Sequence, residues 1–189
     1  MRAKASGQSS LLLLDIVDIL NTLNISYAVI GAFAASFYGA VRASMDVDAV
    51  ISEISEKDLK ALLSVCKEQG LKVKHHRGDM ADPIAAVINI RDRFKNRIDL
   101  IIGIRGMERG VFSRAVNTTF AGSKIRMVGL EDFIAMKIFA GSAKDINDVQ
   151  GVLKVSYAKL NIPRLKELTS HYGRRMLAQL ELLLKDSLH

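Results

Sequence analysis

Two aspartates stand one residue apart inside a stretch that otherwise reads as a buried strand. The segment from Gly31 to Ser52, GAFAASFYGAVRASMDVDAVIS, ends in DVDAVIS, whose apolar residues favour β structure and whose flanks are polar. Side chains alternate faces along a strand, so Asp46 and Asp48 project together while Val47 and Ala49 point the other way. Two carboxylates held this close repel each other unless a proton or a cation lies between them. Hard oxygen donors favour Mg2+ or Mn2+ over zinc. An isolated pair of this kind reads as two strand-end carboxylates facing water.

The pair is not isolated. The run RIDLIIG sets Asp99 among Ile98, Leu100, Ile101 and Ile102. A strand apolar on both faces belongs inside a sheet, where a lone unpaired carboxylate is costly. A neighbouring strand that brings Asp99 beside Asp46 and Asp48 completes a three-carboxylate metal cage, and this is the expected arrangement. Upstream, the turn at Gly31-Ala32 and the short helix after it offer backbone N–H groups to phosphate oxygens.

The rest of the chain supplies a frame for these residues. Apolar periodicity predicts a helix from Ser10 to about Leu23, with Ser9 or Ser10 as N-cap. A strand in ISYAVIGA, the short helix FAASFYG stopped by Gly39, and the helix SEKDLKALLSVCKEQG follow. Further strands are expected in LKVKHH, PIAAVINI, NRIDLIIGI and KIRMVG. From Leu130 the pattern is helical only, through LEDFIAMKIFAGS, AKDINDVQGVLKVS and a last helical region opened by Pro163. Strands mixed with helices, then helices alone, predict an α/β or α+β core over 1–128 with a helical part over 129–189 packed on it.

A net charge of +7 attracts polyanions such as nucleotides or RNA. The clusters RDRFKNR (91–97), Arg105/Arg109/Arg114 and GRR (173–175) each read most simply as solvated surface. The single cysteine, Cys66, cannot form an internal disulfide and falls on a helix as a small apolar residue. Asp15 and Asp18 interrupt the apolar run after Arg2 and Lys4, so no signal peptide is expected. No apolar stretch approaches the roughly 20 residues that cross a bilayer, and a cytoplasmic protein is expected. His75, His76 and Arg77 read as loop, without the partners that zinc requires. The Gly- and Arg-rich GIRGMERGVFSR also reads as a loop. Walker, Rossmann and G-x-S-x-G strings are absent.

The order of glycine turn, short helix, D-x-D strand and a later strand with one aspartate resembles the DNA polymerase beta-like nucleotidyltransferase superfamily. Gly31-Ala32, Asp46-x-Asp48 and Asp99 occupy the positions of its signature. The string GAVRASMDVD, with Arg42 and Ser44, resembles more closely the AbiEii-like and MNT-like minimal nucleotidyltransferases of toxin–antitoxin systems. These carry a comparable lysine on a helix after the core, here Lys137, and then a string matched by SAKDIND, with Lys144, Asp145 and Asp148. The resemblance covers about residues 27–153. It implies a mixed-sheet nucleotidyltransferase core and transfer of a nucleoside monophosphate from an NTP to the hydroxyl of a tRNA, protein or small molecule. It further implies Mg2+ or Mn2+ on Asp46, Asp48 and Asp99, with a toxin–antitoxin protein as partner.

By the same resemblance Gly31, Ala32, Arg42, Ser44 and Lys137 would contact the nucleotide. Asp145 would orient the site and Asp148 would pack or cap near it. One residue departs from the pattern: Ala32 stands where Gly or Ser is usual, so a hydroxyl contact to phosphate is lost while the backbone N–H stays. An inactive binding protein that keeps the fold, and a nucleic-acid-binding module exploiting the +7 charge, are the two alternative readings.

Overall fold

A computed structural model describes residues 1–42 and 44–187 of the chain. Ala43, within the GAVRASMDVD string, lies outside the described residues, as do the last two positions of the helical part. Seven strands form one mixed sheet in the order β3-β4-β5-β2-β1-β7-β6. They are β1 (Tyr27–Ile30), β2 (Asp46–Ile51), β3 (Lys72–Arg77), β4 (Ile84–Arg91), β5 (Arg97–Ile104), β6 (Val116–Phe120) and β7 (Ser123–Met127). The pairs β2–β5 and β1–β7 are parallel and the others antiparallel.

The helices are α1 (Ser9–Thr22), α2 (Gly31–Phe37), α3 (Glu56–Glu68), α4 (Leu130–Ala140), α5 (Ala143–Ser156), α6 (Ile162–Ser170) and α7 (Arg174–Asp186). Helices α1 and α3 lie against the sheet, and the C-terminal helices pack on one another through α4. Buried side chains from both parts of the chain, among them Leu13, Ile51, Leu100, Phe133, Val152 and Leu180, belong to one core cluster. Cys66 is buried in α3, where loss of hydration pushes its thiol up to about 11 and leaves it unreactive.

Several boundaries differ from the sequence expectation, each for a local reason. Helix α1 is capped at Gln8, because the Ser9 hydroxyl is used elsewhere. It donates to the Met45 carbonyl (2.5 Å) and accepts from the Arg97 N–H (3.1 Å), so it clips together the entries of β2 and β5. The strand expected in LKVKHH holds His75 and His76 and runs on through Arg77, so the His75–Arg77 stretch is β3 and not a loop, because each residue pairs with β4. Strand β6 has little apolar signal and exists by pairing with β7 across the turn at Ala121 and Gly122. The last helical region is two helices, broken at Gly173 with φ +115°, a conformation other residues avoid.

Candidate active site

Register puts the acidic residues together. Asp48 and Asp99 are direct partners across the parallel β2–β5 pair, and Asp46 is opposite Arg97. Burial alternates along β2 as expected, with Val47 and Ala49 buried and the two aspartates partly exposed. Strand β5 is interior to the sheet, as its apolar run requires.

Asp48 rests against Gly31 at the junction of β1 and α2. A Cβ at Gly31 would collide with the Asp48 carboxylate, and Gly31 has φ +67°, so the position excludes a side chain on two grounds. Burial first, and then the neighbouring Asp99 and Asp46 carboxylates, push the Asp48 carboxyl up to about 6 against the opposing fields of Lys137 and Arg97. Its charge is perturbed by neighbours without being engaged by a hydrogen bond among the described residues.

Asp99 is satisfied from within the chain. Arg97, two residues earlier on the same face of β5, donates from Nε to Oδ1 (2.9 Å) and from Nη2 to Oδ2 (2.6 Å). Asn89 of β4 donates to Oδ1 (2.7 Å). The Arg97 Nη1 also lies 3.7 Å from Asp46. The sheet therefore aligns the three carboxylates, yet among the described residues no three acidic, His or Cys side chains converge as a metal cage. This differs from the expected closed cage because a guanidinium bridges two of its members. Asp46 and Asp48 fit a divalent cation as they stand, being hard oxygen donors with one charge unmet.

The other expected residues form a second cluster. Lys137 of α4 is 8% exposed and pairs with Asp145 (2.6 Å) and Asp148 (2.8 Å) of α5. Asp148 also receives a fork from Arg42, at 2.8 and 3.2 Å. Asp148 is thus the hub of the cluster. Burial raises the Asp145 carboxyl, but hydrogen bonds from Lys137 and Ser142 outweigh this and leave it below its usual value. Ser142 and Asp145 also form a reciprocal cap at the start of α5. Ser44 donates to the Asp46 carbonyl at the strand entry (2.9 Å).

Two cavities adjoin these groups. One of about 330 Å3 opens beside Gly31 and is walled by Ile30, Ile101, Ile104, Phe133, Met136 and Lys137, mostly apolar surface. The other, about 190 Å3, is lined by Ala32, Arg42 and Asp46 together with the hydroxyl residues Ser9, Ser10, Ser36 and Ser44. Position 32 lacks a hydroxyl, but its cavity does not. Arg97 and Asn89 beside Asp99, and Ser9 and Ser36 in the second cavity, adjoin the candidate site and were not singled out for it from the sequence. Only the i, i+2 spacing of Arg97 and Asp99 on one strand face gave a sign of them.

A mixed sheet with a D-x-D strand parallel to a single-aspartate strand, opened by a glycine-led helix, defines the nucleotidyltransferase fold. Residues 10–180 match the family described as nucleotidyl transferase of unknown function (DUF2204), so the chain belongs to that family and is an enzyme of the nucleotidyltransferase class. Among solved structures it is similar to ANT(2")-Ia in complex with adenylyl-2"-tobramycin (TM-score 0.58, 15% identity, covering 87% of this chain and 96% of that one). It is also similar to an antigenic nucleotidyltransferase-like protein from Paracoccidioides brasiliensis (TM-score 0.55, 20% identity, 98% and 94% covered). A third is the lincosamide antibiotic adenylyltransferase LnuA, lincomycin-bound (TM-score 0.51, 10% identity, 81% and 99% covered). At these identities the likeness is one of fold. None of the curated proteins compared with the chain matches it. No helix among the described residues is long and apolar enough to cross a membrane.

Proposed function

We propose that the chain transfers a nucleoside monophosphate from an NTP to an acceptor hydroxyl, releasing pyrophosphate and the hydroxyl proton, using a divalent metal held on the β2–β5 carboxylates. The observation that carries this reading is the register of Asp48 with Asp99 beside the side-chain-free surface of Gly31. Asp46 and Asp48, with Asp99 next to them, would hold Mg2+ or Mn2+. Such an ion supplies charge stabilisation to an in-line displacement at phosphorus.

The chain's own residues do the rest. Gly31 leaves room for the Asp48 carboxylate, and Ser9 sets the spacing of the two strands. The backbone at Gly31 and Ala32, the hydroxyls around position 32, and Arg42 would face the triphosphate. The positive field of Lys137 reaches Asp48 and favours its ionised form, the state in which it binds a cation. Asp99 would receive the acceptor hydroxyl. The apolar cavity beside Gly31 suits a nucleoside, excluding water from the reacting end. The Arg42, Ser44, Asp46 and Asp48 string supports a place beside the AbiEii-like and MNT-like enzymes, which makes a toxin–antitoxin partner protein and a tRNA or protein acceptor the first to try. The similar solved structures add antibiotics to the acceptors worth offering.

The test is to incubate the protein with each α-labelled NTP and Mg2+, offering tRNA, cell protein, an aminoglycoside or a lincosamide. Label should pass to one acceptor class in the wild type and be lost with Asp48→Ala. Equal labelling by both proteins would overturn the mechanism.

A further inference from the structure

The arrangement around Arg97 bears on how many cations the site holds. Two-metal phosphoryl-transfer sites clamp the attacking and the leaving oxygen with one ion each. Here the carboxylate proposed to face the acceptor is Asp99, and both its oxygens already accept hydrogen bonds from the Arg97 fork, one of them also from Asn89. Bidentate guanidinium–carboxylate pairs of this length are among the strongest in proteins and hold their geometry. The same guanidinium reaches toward Asp46 at 3.7 Å, so it lies between the two acids that a second ion would bridge. It is half-buried and anchored by the Ser9 contact to its own backbone.

Lys137, the other cation whose field reaches Asp48, is spent on Asp145 and Asp148. A further divalent ion would have to displace a charge-assisted fork to reach Asp99.

We propose that Arg97 occupies the place of the second metal, so that this enzyme binds a single divalent cation, on Asp46 and Asp48, and presents a fixed guanidinium where related chemistry uses an ion. The inference rests on the nucleotidyltransferase reading above. Arg97 is then a positioning residue for Asp99 and a permanent positive charge beside the acceptor hydroxyl.

Mn2+ titration followed by electron paramagnetic resonance, with a non-hydrolysable triphosphate analogue equimolar to protein, counts the ions directly. The wild type should bind one Mn2+ per chain, Arg97→Gln two, and Arg97→Lys one, because lysine restores the charge. Thermal melting of each variant establishes that it is folded. If Arg97→Gln melts before the titration, the wild-type count decides alone. Two ions in the wild type, or one in folded Arg97→Gln, overturn the inference while leaving the proposed function standing. No Mn2+ in the wild type, or the same count in Asp48→Asn, overturns the proposed function as well.

Discussion

Asp48 shows what a single residue gives up for a site. Its carboxyl is pushed from the usual 3.8 up to about 6 by burial and by the neighbouring acids. The folded chain therefore holds this proton more tightly than the unfolded chain does. Stability from that proton is fully present below pH about 4 and is lost as the pH rises through 6. At roughly 1.4 kcal/mol per pH unit, the loss is about 2–3 kcal/mol by neutral pH. Asp48→Asn cannot ionise, so it should melt several degrees above the wild type at pH 7.5, at about 2–4 °C per kcal/mol, and level with it near pH 4. Scanning calorimetry at the two pH values checks this, and matched melting at pH 7.5 would refute the strain. Saturating Mg2+ should close the gap by stabilising only the wild type. The alternation that reveals Asp46 and Asp48 is legible in the sequence, because faces of a strand follow from period two. Of the partners of Asp99 only Arg97 leaves a local sign, two residues before it on the same face, since Asn89 reaches it only through a strand register that no local pattern encodes.

At the scale of elements, α4 and α5 are joined by charge. Lys137 faces two carboxylates on α5, and Asp148 passes the link to Arg42 on the loop leading into β2. That loop is also held by close packing, with Gly39 against Val155 and Gly151 against Ala40, and by the Ser156 hydroxyl donating to the Tyr38 carbonyl. Lysine in an apolar helix stripe signals an anionic partner from sequence, and the SAKDIND string pointed to the segment that supplies it. The sequence could not say that Asp148 would meet Arg42, because that contact spans 106 residues. Lys137→Met should destabilise the protein by about 3–5 kcal/mol in urea unfolding, since it leaves buried carboxylates short of a cation. Adding Asp145→Asn should recover part of the loss. A loss under about 1 kcal/mol would mean the cluster is solvent-screened.

For the whole molecule, the strand and helix sequence was largely readable because hydrophobic periodicity is local, and the unread parts are those made by tertiary pairing. Strand β6 carries three polar residues in a row, Asn117 to Thr119, and is held by β7, while the α6–α7 break turns on one glycine. Buried side chains from both sides of residue 128 share one cluster. The β2–β5 pairing has a further consequence, for folding kinetics. Asp48 and Asp99 are 51 residues apart in sequence and meet only when two parallel strands have docked. Such non-local pairing forms slowly, after loop-closure entropy has been overcome. Nucleotide and metal have nothing to hold until it has formed, so they can act only on the completed fold. Mg·NTP should therefore slow unfolding several-fold in stopped-flow denaturant jumps and leave the refolding rate unchanged. Ligand that speeds refolding instead would place the carboxylate pair in the folding nucleus.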